Sequence, residues 1–356
     1  MNGTIYSGLK LFLFPDRLAA FKAGKLPAPV HVRIKPTNLC NHNCWYCAYR
    51  NDSLALGDEM IERNSIPEDK MFEIVDDLIA MDVRAVTFSG GGEPLLYKPL
   101  PRVIERLAAG GIRVAALTNG ANLKGAMADT LAVHATWVRI SLDAWDDKSY
   151  QASRGIRGGA FSQLLRNISA FRERGDSCVL GASMIVGVDN AAHLYDVCAK
   201  LKKSGIAHVK ISGVVVGNDA AANNGYHAPI RAVVTEEIAR IRAELEDGTF
   251  SIFDHYHELE ERFAKSYRIC PSLAFLTVIG ADLNVYTCQD KAYTSAGRLG
   301  SIRECRFADL WGSAETRAKV FSFDPSRACP HHCVSHRKNL AALDFLSLDE
   351  EHGYFV

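Results

Sequence analysis

The sequence has no excess of charge of either sign. Lysine plus arginine number 41, aspartate plus glutamate number 41, and the 356-residue chain has zero formal net charge. That balance leaves no electrostatic footprint for nucleic acid or an anionic membrane surface. No apolar run approaches the roughly 18 residues of a membrane span. The N-terminal "GLKLFLFPDRL" holds a short apolar patch without a small-residue cleavage site, so it is not read as a signal peptide. Low-complexity tracts are missing, and the only repetition is an alternation of strand and helix patterns. These absences predict a cytoplasmic chain with no nucleic-acid or membrane partner. They also give meaning to the ten cysteines, which in a reducing compartment suit metal binding better than a disulfide framework.

With 48% hydrophobic residues, the chain can bury a large core and is long enough for one large domain and a smaller one. "VHVRIK" (30–35) alternates as a strand does, and 69–82 has helical periodicity. Strands follow at 85–90, 113–120, 137–143, 178–186 and 208–216. Helical patterns stand between them, including 161–175 and 191–205. Six strands alternating with helices predict parallel βα units. Right-handed crossovers would curl these into an α/β partial (β/α)6 TIM-like barrel, with a flat doubly wound sheet as the alternative. In both, sites lie in the loops after the carboxyl ends of the strands. The polar stretch "GNDAAANNGYHAP" (217–229) reads as a loop or linker before a helix. From about 268, short strands, a helix and a second cysteine set predict a small C-terminal α+β domain. The expected division is an N-terminal extension (1–27), the barrel (28–217), a linker and helix (218–267), the small domain (268–345) and a tail (346–356).

"CNHNCWYC" (40–47) holds three cysteines in eight positions. Thiolates are the usual ligands of iron–sulfur clusters, and a complete [4Fe–4S] cluster needs four. Three leave one iron open, as catalytic zinc sites keep an open position. Cys40, Cys44 and Cys47, with Tyr46 before the last, resemble the signature of the radical S-adenosylmethionine (SAM) superfamily; a structural zinc site is the alternative. The resemblance implies a [4Fe–4S] cluster on these three cysteines, with SAM bound through its amino and carboxylate groups to the open iron. "GGGEP" follows strand two and resembles the family's GGEP motif. On that reading Gly91, Gly92, Glu93 and Pro94 meet the SAM amino group, with glycines allowing close backbone approach. By the same resemblance Tyr46, Thr118, Asn119, Ser141 and Arg154 are SAM contacts, Arg154 offering a planar fork to a carboxylate. The segment "GASMIVG" (181–187) resembles one that packs against adenine.

The later cysteines resemble the SPASM and twitch auxiliary-cluster domains. "ADLNVYTC" stands where the family has a "DG-x-VYPC"-like strand, with Leu283 in place of the glycine and Thr287 in place of the proline. The count implies one auxiliary [4Fe–4S] cluster on Cys270, Cys288, Cys329 and Cys333, the twitch arrangement; His331 or His332 replacing a thiolate is the alternative. Cys178 and Cys198 are expected in the core. Cys305, in a polar loop, is a candidate hydrogen-atom donor with an inert thiol as the alternative. His227, His255 and His257 receive no role.

The resemblance implies reductive cleavage of SAM and hydrogen abstraction from an unactivated carbon, with a flavodoxin or ferredoxin as electron donor. The substrate is expected to be a small polar metabolite of sugar or aminocyclitol type, oxidised or epimerised. The alternatives are crosslinking or oxidation of a peptide, and a non-enzymatic electron carrier. Only about 27 residues precede strand one, too few for the leader-binding domain of some peptide-modifying relatives.

Overall fold

The computed structural model describes residues 5–50, 54, 56–259, 262–349 and 351–355. All six expected strands form: β1 (His31–Ile34), β2 (Ala85–Phe88), β3 (Arg113–Thr118), β4 (Ala135–Ser141), β5 (Val179–Val186) and β6 (His208–Gly213). Each pairs in parallel with the next, and a seventh parallel strand, β7 (Ser251–Asp254), extends the edge. The strand order from β1 to β7 never reverses. Right-handed crossovers in such an order put every crossover helix on one face. That feature selects the partial barrel over the doubly wound sheet, and the sheet stays open at both edges.

The pleat divides the residues. Val32, Ile34, Val86, Phe88, Val138, Ile140, Val209 and Ile211 are fully buried on the helical side. The helices answer with the i, i+3, i+4, i+7 spacing that makes one apolar stripe. Met71, Ile74, Val75 and Leu78 are buried on Glu68–Ala80, and Leu100, Val103, Ile104 and Leu107 on Leu100–Ala109. Each such side chain contributes about 1.5–3 kcal/mol by leaving water. The alternate residues, among them Arg33, Thr87, Arg139, Ser183 and Lys210, face the side without helices. That face is polar. Cys178 and Cys198 sit in the core as expected.

Three features differ from the sequence reading. The stretch 217–229 is not a loop: Ala220–His227 is a helix whose N-cap Asp219 accepts from the Ala222 amide at 2.7 Å. Its asparagine is structural, since buried Asn223 accepts from the Val216 amide at 2.9 Å and donates to the Gly217 carbonyl at 2.8 Å. β7 is only four residues long, with Ile252 alone buried, too short for alternation to stand out. Third, the C-terminal strands do not form a sheet of their own. β8 (Leu276–Ile279) pairs in parallel with β1, from His31↔Leu276 to Ile34↔Ile279. β9 (Asn284–Tyr286) and β10 (Arg298–Ser301) follow antiparallel, giving one ten-stranded sheet. The first of the short strands expected after residue 268 is preceded by a short helix, Ser272–Phe275. No helix among the described residues is long and apolar enough to cross a membrane.

Leu283, at the turn between β8 and β9, has φ 65°, the left-handed conformation that glycine adopts freely. It is 7% exposed. Replacing it by glycine would relieve about 1–2 kcal/mol of backbone strain but forfeit burial worth about 2–5 kcal/mol. Leu283→Gly is therefore expected to lower the urea midpoint of unfolding, and an increase would show that the strain outweighs the packing.

Candidate functional site

The cysteine loop leaves β1 through Thr37, Asn38 and Leu39 and is held by the segment after β2. The Gly92 amide donates to the Thr37 carbonyl at 3.1 Å and the Glu93 amide to the Leu39 carbonyl at 2.8 Å. A Cβ on Gly91 would lie 1.9 Å from the Asn38 side-chain oxygen, and one on Gly92 would lie 2.0 Å from the Leu39 carbonyl oxygen. Glycine is required here because the cysteine loop itself lies against the backbone. This is a different cause from the ligand approach that the sequence suggested.

Glu93 is 3% exposed. One carboxylate oxygen accepts from the Thr118 hydroxyl at 2.7 Å and the Leu95 amide at 2.9 Å; the other accepts from the Asn119 amide at 2.7 Å. Burial nevertheless pushes its pKa above the usual carboxylate range. Asn119 in turn donates to the Asn41 side chain at 2.8 Å. So Glu93, Thr118 and Asn119, expected as SAM contacts, bond to one another and tie the β2 and β3 rims to the cysteine loop. Pro94 opens the short 3-10 turn that follows, its fixed φ suited to that position.

Arg154 is also occupied by protein. Its guanidinium pairs with buried Asp143, donates to the Ser141 carbonyl at 2.9 Å and reaches Cys44 Sγ at 3.5 Å. The rings of Tyr46 and Tyr150 lie 5.5 Å from it. Its Nε and the Tyr46 hydroxyl are buried without a partner. Beside them opens a cavity of about 170 Å³, bounded by Tyr46 and by Asp143, Trp145, Gly187 and Asn190 from the loops after β4 and β5. Asn190, missed by the sequence reading, fixes that wall by donating to the Asp143 carbonyl at 2.7 Å and the Ile185 carbonyl at 2.8 Å. Unpaired polar atoms and aromatic rings beside the three thiols suit a group with both hydrogen-bonding and apolar parts. Burial raises the pKa of Cys40 and Cys47.

The second cysteine set gathers as expected: Cys270, Cys288, Cys329 and Cys333 line one small cavity. Burial, with the other charges in the cavity, pushes Cys270 and Cys333 up to about 12, and Cys288 and Cys329 also rise. Thiols that cannot ionise alone but converge in one cavity fit a cationic centre, because metal binding supplies the charge that deprotonates its ligands. Asn339 donates to Cys270 Sγ at 3.1 Å, and the His331 Nε2 in the same wall is buried without a partner. Among the described residues no three His, Cys, Asp or Glu side chains converge as on a single ion; cluster ligands surround a cage, not a point.

The two cysteine sets communicate through residues that the sequence did not single out. Lys35, 1% exposed, donates to the Gly90 carbonyl and to the Tyr49 hydroxyl, the latter at 2.7 Å. Tyr49 donates to the Gln289 carbonyl, next to Cys288, at 3.3 Å. Tyr293 donates to Asn38 at 2.5 Å and accepts from the Ala281 amide at 3.1 Å. Tyr293 has φ 59°, a strained position held by these contacts. Burial, then the Arg33 charge, brings Lys35 down to about 7.

Cys305 stands apart. It lines neither cavity, its Sγ faces the Ser301 carbonyl at 3.4 Å, and its own carbonyl accepts from Lys70 on the helical side. The turn after the edge strand β10 carries it away from the polar face, so the structure does not bring the expected hydrogen donor to the site. His227 Nε2 donates to the Val214 carbonyl, 2.9 Å away, a packing role.

Residues 34–201 match the Radical SAM superfamily. The chain is 30% identical over 120 residues to an S-adenosylmethionine-dependent nucleotide dehydratase of Lacinutrix mariniflava, covering 33% of this chain and 25% of that protein. It is 32% identical over 127 residues to a GTP 3',8-cyclase of Synechococcus elongatus, covering 35% and 37%. The chain thus spans 25% and 37% of the length of these two curated relatives. Its fold is similar to that of Streptococcus suis SuiB bound to precursor peptide SuiA, with a TM-score of 0.64 at 15% identity over 91% of this chain and 74% of that chain. It is also similar to native anSMEcpe with bound AdoMet, with a TM-score of 0.60 at 14% identity over 89% and 96%.

Two substitutions test the rim. Glu93→Gln places an amide hydrogen against a backbone donor and should cost about 1.5–3 kcal/mol, the worth of a hydrogen bond to a charged group. Gly92→Ala, which drives a methyl into the Leu39 carbonyl, should abolish iron binding at Cys40, Cys44 and Cys47 while the C-terminal set keeps its iron. Thermal unfolding and iron analysis read the two effects. An unchanged melting temperature in the first, or full iron in the second, would contradict the assignment.

Proposed function

The chain carries a Radical SAM domain, and from that premise we propose that it oxidises or epimerises a small polar molecule on the helix-free face of its sheet. The observation that carries this reading is the character of that face. It presents Arg33, Arg139, Lys210, Thr87 and Ser183 between Leu117, Trp137 and Phe253, and charges without a counter-ion suit a polar substrate better than an apolar one. In enzymes of this superfamily the cluster supplies one electron, which cleaves SAM to methionine and a 5′-deoxyadenosyl radical.

The protein's part is binding, orientation and exclusion of water. Cys40, Cys44 and Cys47 would hold the SAM-binding cluster. The cavity between Tyr46, Trp145 and Gly187 suits the adenosine end of SAM, with Tyr46 as a flat apolar wall and Asp143 and Asn190 as polar edges. Arg154 holds Asp143 in place and faces Cys44. Glu93, Thr118 and Asn119 keep the rim rigid, so that the reacting carbon and the radical meet in one geometry. Cys270, Cys288, Cys329 and Cys333 would hold an auxiliary [4Fe–4S] cluster in the twitch arrangement, joined to the first set through Lys35 and Tyr49. A flavodoxin or ferredoxin fits as reductant, and ten free cysteines fit the cytoplasm.

A second reading, modification of a peptide, is favoured by the likeness to Streptococcus suis SuiB bound to precursor peptide SuiA. The experiment that tests the proposal is anaerobic incubation with dithionite and SAM. The wild-type protein should release 5′-deoxyadenosine, and the Cys40→Ala/Cys44→Ala/Cys47→Ala variant should release none. Stimulation of that release by a pool of small polar metabolites, but not by peptides, is the expected discrimination. No 5′-deoxyadenosine from protein with both clusters intact would leave an electron carrier as the reading.

A further inference from the structure

The helix-free face carries more positive charge than the protein neutralises. Arg33 on β1, Arg139 on β4 and Lys210 on β6 alternate with the fully buried Val32 and Ile34, Val138 and Ile140, and Val209 and Ile211. The pleat therefore turns all three to the same, helix-free side. Lys338, on the C-terminal helix His336–Leu346, lies near Arg33 and adds a fourth charge; this helix is not one of the crossover helices and reaches one end of the face that they leave open. Among the described residues, the side chains of Arg33, Lys210 and Lys338 make no hydrogen bond and no ion pair. Arg139 donates from Nη1 to the Tyr6 hydroxyl at 2.7 Å, a neutral partner. The Nε atoms of Arg33 and Arg139 are buried without any partner. Buried polar groups are nearly always bonded, so each such atom needs an explanation.

The nearby carboxylates do not supply it. Glu258 is engaged by Arg262, Arg337 and His255. Asp290 lies in the wall of the C-terminal cysteine cavity. Lys210 is brought down to about 7 by burial and then by Arg139, Arg262, Arg33 and Lys338, all of them positive. Lys338 falls to about 8, by burial and then Arg33. An auxiliary cluster on four thiolates would be anionic and would take up part of this field: Arg33 lies near Cys288, and Lys338 near Cys333. The largest charges on Lys210 are all cations, although Lys210 also acts on His332, beside Cys333; the cluster would therefore take up only part of its field.

Register sets this charge close to the reaction. Ser141 pairs with Ser183, and Ser183 with Lys210. Lys210 is thus in the same row as Ser141, two strands along, or about 10 Å. SAM itself is the wrong occupant, because its sulfonium is a cation and belongs by the cysteine loop.

Building on the reading of a small polar substrate, we propose that this face binds a phosphorylated small molecule, with Lys210 and Arg139 as phosphoryl contacts and Arg33 and Lys338 completing the positive field. Several cations against one ligand call for more than one negative charge, and guanidinium forks match phosphoryl oxygens. A peptide backbone, being neutral, would leave the field uncompensated.

The test uses the holoprotein, with both clusters reconstituted and SAM bound, titrated with inorganic pyrophosphate in a calorimeter at low and high salt. Wild type should bind one equivalent, more weakly at high salt. Lys210→Gln and Arg139→Gln should each bind at least about tenfold more weakly, the loss of one charged hydrogen bond. Lys203→Gln, on an exposed helix position, should bind as wild type does. Without pyrophosphate, Lys210→Gln should melt higher than wild type, because it removes a half-buried charge with no counter-ion. No saturable binding to wild type, or equal binding by wild type and Lys210→Gln, overturns the proposal. A companion assay of 5′-deoxyadenosine release separates the two levels of the argument. Equal stimulation by neutral and phosphorylated sugars rejects the phosphoryl site and keeps the small-molecule reading; stimulation by peptides alone rejects that reading and the phosphoryl site with it.

Discussion

Glu93 is a carboxylate taken out of water and held by donors from three places: its own turn, the Thr118 hydroxyl and the Asn119 amide. Its backbone amide at the same time grips Leu39, one residue before the first cysteine. A buried carboxylate is costly unless its oxygens are paired, and these are. The position of the cysteine loop follows from this tie, together with the glycines that let Asn38 and Leu39 lie directly on the chain. Asn41 and Asn119 extend it by a further hydrogen bond. The residues expected to touch SAM thus form, in large part, the frame that fixes where SAM can be.

The same logic governs the other cysteine set. β8 pairs with β1, the strand that delivers Cys40, and the β8–β9 hairpin delivers Cys288. Both sets therefore hang from adjacent strands of one sheet. Lys35, Tyr49 and Tyr293 fill the space between them with hydrogen-bonded side chains. Backbone ladders and buried hydrogen bonds, not a hinge, join the two sets. For a reaction that passes through reactive radicals, such rigidity keeps donor and acceptor aligned and excludes solvent.

Much of this was legible in the sequence, for physical reasons. The six strands showed as apolar runs because parallel strands are buried on the helical side. The helices showed as clean stripes, as Met71, Ile74, Val75 and Leu78 illustrate. Cys40, Cys44 and Cys47 are closely spaced, so their grouping needed no structure; Cys270, Cys288, Cys329 and Cys333 are spread along the chain, and only the resemblance grouped them. What stayed hidden depends on long-range pairing. Nothing local in "SIFD" announces β7, and nothing local in "LTVI" says that it joins β1. The helix at 220–227 was masked by asparagines whose side chains serve the backbone. Arg154 and Glu93 stood out through the motifs they belong to, but their partners, Asp143 and the rim, could not be read from spacing. The unpaired charge of Arg33, Arg139 and Lys210 becomes visible only when three distant strands share a face.

The central claim is that the three thiols of the rim and the four thiols of the C-terminal cavity hold separate clusters on one sheet. Iron and sulfide content after anaerobic reconstitution tests it most directly, comparing wild type with a variant in which Cys40, Cys44 and Cys47 are all alanine. Two cubane clusters predict about 8 iron per chain in the wild type and about 4 in the variant. About 4 iron falling to none would mean that Cys270, Cys288, Cys329 and Cys333 hold no cluster, and would contradict the account.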